Sequence, residues 1–523
     1  MKIEHFDVLV VGAGLSGIGA GHHLQTRCPG RSYAILEGRE RLGGTWDLFR
    51  YPGVRSDSDM YTLGYSFRPW EEAKVIADGP SILKYVQDTA RDHGIDRHIR
   101  YGHRVKRAAW STQDALWTVE AELTPKPTLS SPAGGETQSA WGGPAPTGTG
   151  EANDTVRFTC NFLFMCSGYY RYAEGFTPEL PGIERFKGRV VHPQQWTDDI
   201  AYAGQRVVVI GSGATAVTLV PELARTAAHV TMLQRSPTYV VAWPSQDRIA
   251  NRLRRVLPAK LAYSIARWKQ VLLTMYFFNL CRRNPARAKW LLLGGVRSQL
   301  GRDYDIAKHF TPRYNPWEQR LCLVPDGDLF HAIKAKRASV VTDQIESFTE
   351  TGLKLVSGAE LEADLIVTAT GLNLQVLGGL QVTVDGAPID WARTMSYKGL
   401  MFGGVPNFAS AFGYTNASWT LKSDLTCEYV CRLLNHMKAR GLRQCTPHNT
   451  DPTITETPWI DFSSGYVQRS LPLFPKQGSR APWKAHQNYA RDIMTLRYGK
   501  LDDGVMAFTN PRPAAAEQAA QAA

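Results

Sequence analysis

The sequence predicts an α/β protein built from two dinucleotide-binding (Rossmann-like) units, with a helical insertion in the second. Three observations carry that prediction. An apolar strand runs into a glycine turn and a helix of small residues at FDVLVVGAGLSGIGAGHHL. The same succession recurs at QRVVVIGSGATAVTLVPELA. Between Asp247 and His309 the chain turns helical, basic and aromatic.

A chain of 523 residues exceeds what one hydrophobic core organises, so two or three domains are expected. The recurrence divides it into a first unit over 1–180, a second over 181–364 with the insertion at 245–315, a return to the first over 365–508, and a frayed tail at 509–523. Hydrophobic content of 43% and charged content of 21% are those of an ordinary globular chain.

The net charge of +12 is concentrated. Residues 251–310 hold thirteen Lys and Arg against Asp303 and Asp305. Such an excess suits an anionic partner, and with no nucleic-acid module in the sequence, nucleic acid ranks behind a phosphorylated cofactor or a membrane surface. Eight cysteines without CxxC spacing read as reduced, buried thiols and a cytoplasmic setting, and no metal site is expected. The N-terminus runs straight into a strand without an export leader, and the longest apolar run, Val271 to Cys281, is too short to span a bilayer.

The elements follow in order. SYAILE is the second strand, ending at Glu37, and a glycine-rich stretch from Gly43 to Asp59 precedes a helix near Ser81 to His93. Residues 124–154 mix Pro, Gly, Ser and Thr without period and read as a mobile surface loop. The strand NFLFMCSG leads to the second unit, whose insertion is punctuated by Pro258 and Pro285. ADLIVTATG is a further buried strand, followed by a helix near Ser423 to Arg440 with Ser423 as its N-cap.

Gly12, Gly14 and Gly17 form GxGxxG between strand and helix. The first permits the tight turn, the second admits a diphosphate, and the third lets helix pack on strand, while the helix N-terminus offers free N–H groups to the anion. Glu37, at the tip of the next strand, accepts from ribose hydroxyls. The second copy, Gly211, Gly213 and Ala216, is followed by a strand that ends on Arg235 and Ser236 instead of an acid. Arg with a neighbouring hydroxyl binds a 2′-phosphate that an acid would repel, so this unit is expected to take NADPH.

Two nucleotide sites in one chain imply electron passage to a second bound dinucleotide, for which FAD is the natural carrier. Disulfide reductases share this layout but need paired cysteines behind the ribose acid, and Glu37 to Tyr101 contains none. Between the units, Phe186, Gly188, His192 and Trp196 fit FxGxxxHxxxW. That stretch resembles the signature of type I Baeyer-Villiger monooxygenases, class B flavoprotein monooxygenases. Thr197 and Asp198 depart slightly from its usual continuation. RERLGGTWDLFRYPGVRSDSDMYTLGYSFRPW, YNPWEQRLCLVP and FGYTNASWTLKSDL extend the likeness over nearly the whole chain.

The resemblance implies an FAD-dependent, NADPH-consuming enzyme that uses O2, through a C4a-peroxyflavin, to convert hydrophobic ketones to esters or lactones and to oxidise thioethers or thioamides. It assigns Arg320 to stabilising that peroxide and Asp57 to positioning Arg320. Their alternative is a structural arginine paired with Glu318 or Asp326. It also sets Arg55 and Ser56 against NADP, lines FAD with Thr45, Trp46, Asp47 and Leu48, and brings the Val105 backbone to the adenine. Ser16 caps the first diphosphate loop, and Ser212, Gly213, Ala214, Thr215, Ala216, Val217 and Thr218 wrap the second diphosphate. Many relatives carry a lysine before the catalytic arginine, and here Gln319 stands there. His192 and Trp196 belong either to a linker that moves with the NADP unit or to packing between units.

Two other functions remain open: an N- or S-oxygenating flavin monooxygenase with little ketone activity, and a flavin-bound redox sensor that does not turn over. For the basic insertion, packing against the domain as a wall of the substrate pocket is favoured over peripheral membrane contact.

Overall fold

The computed structural model describes residues 3–124 and 154–511. Most of the predicted 124–154 loop, and the tail from 512 onward, lie outside the described residues.

Strand Glu4–Val11 is apolar without alternation from Val8 onward, so that half is buried on both faces, and the strand pairs in parallel with Tyr33–Leu36 and with Thr155–Met165. These strands centre a nine-stranded sheet, extended by antiparallel His103–Ser111 and Leu116–Leu123. Helix Leu15–Arg27 lies close to the sheet because its inner positions are small; a Cβ on Gly21 would meet Ile95 at 2.7 Å. Helix Gly79–Asp92 starts where Asp78 accepts from the Ser81 N–H.

The second sheet has five strands, all parallel: Ala338–Thr342, His229–Gln234, Arg206–Ile210, Leu365–Thr368 and Arg189–Val191. Leu365–Thr368 is therefore central to the second lobe, so the chain returns after it and not at residue 364. Four buried apolar residues between two parallel neighbours give it no other place. The crossing is a two-stranded ribbon in which outgoing Tyr170–Gly175 pairs antiparallel with returning Leu372–Leu374. His192 fastens it: its Nε2 bonds to the Gly371 carbonyl at 3.1 Å, and its ring fills the space that a Cβ on Gly175 would need. Trp196 packs in the second core, against Tyr202.

The C-terminal helix runs from Trp419 to Ala439 and begins after Ser418. Ser423 is no cap; it lies inside the helix and is buried. The chain is already helical at Trp419 because Thr420 and Leu421 seat in the core, so tertiary burial sets the start.

The insertion is helical as expected, over Arg248–Val256, Ala259–Arg283 and Pro285–Leu300, with Pro258 capping the second helix and Pro285 opening the third. It straddles the lobes. Ala262, Tyr263, Ala266 and Val271 face the first lobe, and Val296 joins the second core. The buried Arg267 donates to the carbonyls of Tyr61 at 2.7 Å and Gly64 at 2.8 Å and approaches Asp424 at 3.7 Å, fixing the long helix to the first lobe. All eight cysteines are free and buried, and among the described residues no helix is long and apolar enough to cross a membrane.

Candidate active site

One cavity of about 1510 Å³ lies between the lobes and is lined by both glycine loops. That exceeds the ~300–1,000 Å³ of an ordinary small-ligand site and suits two dinucleotides.

Gly12 has φ +103°, and a Cβ there would sit 2.6 Å from the Cys166 carbonyl. The Gly17 Cβ would lie 1.8 Å from the Gly12 carbonyl, so Gly17 serves helix–strand contact and does not reach the cavity. Helices Leu15–Arg27 and Ala214–Leu223 begin after Gly14 and Gly213, and neither has a side-chain cap. A Cβ on Gly213 would meet no protein atom within 4 Å, which leaves open space before uncapped N–H groups, as a diphosphate requires.

Glu37 is buried at the cavity wall. Its carboxylate accepts from the Ala13 N–H at 2.7 Å and the Arg39 N–H at 3.0 Å. Burial raises its pKa, against the pull of those two bonds. Ser16 lines the cavity and accepts from the Trp419 indole at 2.8 Å, so the final helix holds the first loop. Thr45, Trp46, Leu48, Ser56 and Val105 also line it. Asp47 does not: its buried carboxylate turns to Arg39 at 2.7 Å, with Arg41 and Arg50 further out. Arg55 lines the cavity but pairs with Asp328 of the second lobe.

In the second loop, Ser212, Gly213, Ala214, Thr215 and Thr218 face the cavity. Ala216 and Val217 do not, because the helical period turns them into the second core. Ser212 donates to the Ser236 carbonyl at 3.0 Å, tying the loop to the next strand's tip. There Arg235 and Ser236 are exposed at the cavity edge, and among the described residues Arg235 has no acidic partner.

Arg320 and Asp57 meet between the two loops. The guanidinium Nε lies 2.7 Å from Asp57 Oδ2, and Nη2 donates to Oδ1 at 3.1 Å. The other partners considered for Arg320 are engaged elsewhere. Glu318 accepts from Asn315, from the backbone at 3.1 Å and the side chain at 2.8 Å, and Asp326 accepts from the Ser245 N–H at 2.9 Å. Asp57 raises the Arg320 pKa, so the guanidinium keeps its charge.

The sequence reading missed Tyr169, Tyr170, Tyr466 and Trp419. All four line the same cavity, with the Tyr169 hydroxyl 3.1 Å from that of Tyr170 and the Tyr169 ring stacked on Trp419. Burial raises the pKa of each of the three phenols and keeps them protonated. Three residues before Tyr466, Ser463 donates backbone and side-chain bonds to the Glu318 carbonyl. Their one signal was position, the YY pair directly after a strand end that closes on glycine.

Comparison with known proteins agrees with this geometry. Residues 10–72 match the family model of the NAD(P)-binding Rossmann-like domain, and residues 147–279 that of flavin-binding monooxygenase-like proteins. The chain is 53% identical to the FAD-containing monooxygenase EthA of Mycobacterium tuberculosis, over 98% of this chain and 99% of that protein. Its fold matches an oxidized steroid monooxygenase bound to NADP with a TM-score of 0.71 at 22% identity, covering 97% of this chain and 100% of that one. A cyclohexanone-bound cyclohexanone monooxygenase matches with a TM-score of 0.65 at 20% identity, over 85% and 89% of the two chains.

Proposed function

The chain belongs to the FAD-containing monooxygenases, and from that premise we propose that it inserts oxygen into hydrophobic ketones, giving esters or lactones, with thioethers and thioamides as further substrates. It is an oxidoreductase whose cofactors are FAD and NADPH. For a ketone the balance is ketone, O2, NADPH and one proton to ester, NADP⁺ and water.

The observation that carries the reading is a permanently charged Arg320, held by Asp57 inside the cavity that both glycine loops share. When bound, NADPH supplies hydride and FAD passes the electron pair to O2. The chain's residues supply binding and fixed charge. The uncapped helix starts after Gly14 and Gly213 receive the two diphosphates. Glu37 accepts from the ribose of the first dinucleotide, and Arg235 with Ser236 binds the 2′-phosphate of the second. With Gln319 where relatives carry lysine, Arg235 bears most of that recognition.

Attack at a carbonyl carbon develops negative charge on its oxygen, and Arg320 stabilises that charge without reorganising, because Asp57 has already fixed its plane. Tyr169, Tyr170 and Tyr466 stay protonated and offer O–H donors at the same place. Such donors would hydrogen-bond to an oxygen that gains charge during transfer to carbon or to sulfur.

Incubating the holoenzyme with NADPH and a panel of ketones, thioethers and tertiary amines, with products identified by mass spectrometry, tests the reading. Ester from a ketone, carrying one atom from labelled O2, is expected. Exclusive sulfoxide or N-oxide overturns the ketone assignment. NADPH consumption unchanged by every substrate leaves a redox sensor.

A further inference from the structure

Ten of the sixteen large apolar residues exposed among the described residues lie in the insertion helices. On helix Ala259–Arg283 they are ordered. Leu261, Ile265, Trp268, Leu272 and Tyr276 are 49%, 42%, 44%, 59% and 64% exposed. Steps of three and four residues put them in one stripe along the solvent side, opposite Tyr263, Ala266, Arg267 and Gln270, which are buried. The expectation turned the helix's apolar residues inward, but only some of them pack, with Tyr263 and Val271 buried beside Arg267 and Gln270, whose partners lie in the first lobe and at Asp247.

We propose that this stripe docks the enzyme on an anionic lipid bilayer. Contiguous exposed apolar surface on a soluble protein marks an interaction site. Two occupants could cover it, and charge decides between them. Arg252, Arg255, Lys260, Arg283 and Arg287 flank the stripe, are exposed, and form no ion pair among the described residues. A second copy meeting this face would bring two segments of thirteen cations and two anions each into contact. An anionic bilayer instead takes the apolar stripe below its headgroups and pairs the flanking cations with phosphates.

The placement gives docking a purpose, and this rests on the reading of a hydrophobic substrate. On its inner side the same helix, through Val271, Thr274 and Met275, walls a small cavity that reaches Asn416 and Ser418. Ser418 directly precedes Trp419, which lines the large cavity. The buried Asn416 Oδ1 has no partner there. One helix, about 10 Å across, thus separates the bilayer side from the threshold of the active site.

Flotation of the FAD-loaded protein with phosphatidylcholine vesicles, with and without phosphatidylglycerol, is the test. The enzyme is expected to float with the phosphatidylglycerol vesicles at low salt, to be released as salt rises, and to ignore phosphatidylcholine alone. Ile265→Glu/Leu272→Glu is expected to weaken vesicle partitioning by about tenfold or more, with an unchanged melting temperature and unchanged NADPH oxidation on a water-soluble substrate. The proposal is overturned if the wild type ignores anionic vesicles at low salt, or if the variant floats equally well. It is also overturned if light scattering finds a dimer that the variant disperses. Flotation needs no turnover, so its outcome is independent of which substrate the enzyme oxidises.

Discussion

Arg320, from the second lobe, and Asp57, from the first, are joined by two contacts at 2.7 and 3.1 Å across 263 positions of sequence. The cation at the centre of the cavity is therefore held by both lobes, and its placement depends on their being closed.

Replacing Arg320 by Ala removes the fixed charge without touching either glycine loop. NADPH should still bleach the flavin in an anaerobic stopped-flow trace, while ester formation falls by about 100-fold or more. Wild-type product formation would remove Arg320 from the chemistry.

Gly213→Ala and Gly17→Ala separate ligand space from fold. The Gly213 methyl enters room that no protein atom occupies, so Tm should hold while KM for NADPH rises about tenfold or more. The Gly17 methyl meets the Gly12 carbonyl, and that variant should lose FAD and much of its soluble yield. Equal Tm losses in both would contradict this division.

Arg235→Ala deletes the charge proposed to meet the 2′-phosphate. KM for NADPH should rise about 10- to 100-fold while KM for NADH stays nearly constant. A parallel rise for both would place Arg235 outside phosphate recognition.

Asp424 links the insertion to the first lobe. Burial opposes its ionisation, but bonds from His23 and Ser66 and the charge of Arg267 outweigh that and hold its pKa below the usual carboxylate value. A depressed acid contributes stability above its unfolded pKa and loses it as pH falls through the folded one. Asp424→Asn should cost roughly 3–5 kcal/mol at neutral pH, because Arg267 is left buried with its charge unmatched. Its deficit in Tm should narrow on acidification below the ordinary carboxylate range, and a constant deficit would count against the pairing.

Both glycine loops, the parallel strands and the prolines that break the insertion were legible because each is a local decision of backbone geometry or period. Glu37 and Arg235 were legible as strand tips. Arg320 and Asp57 came only from resemblance, since no spacing rule spans 263 residues. The arginines around Asp47 are brought to it by the fold, so their grouping was not legible. Ala216 and Val217 turn their side chains to the core, as the helical period already assigns them. The start at Ser418 and the tyrosines depend on what packs against them, which one sequence does not state.

The ribbon formed by Tyr170–Gly175 and Leu372–Leu374 makes the second lobe a parenthesis within the first. Its two ends leave side by side, about 5 Å apart as paired strands must be. Everything between them is thus one inserted block, although its long helix Ala259–Arg283 packs into the first core. A short hairpin turn joining residues 175 and 372 would close the first lobe without it, and a foreign nucleotide unit with adjacent termini could be set into the same gap. The electron donor this scaffold accepts is consequently encoded in one block, which also carries Arg320 and the helix Ala259–Arg283 that covers the first core.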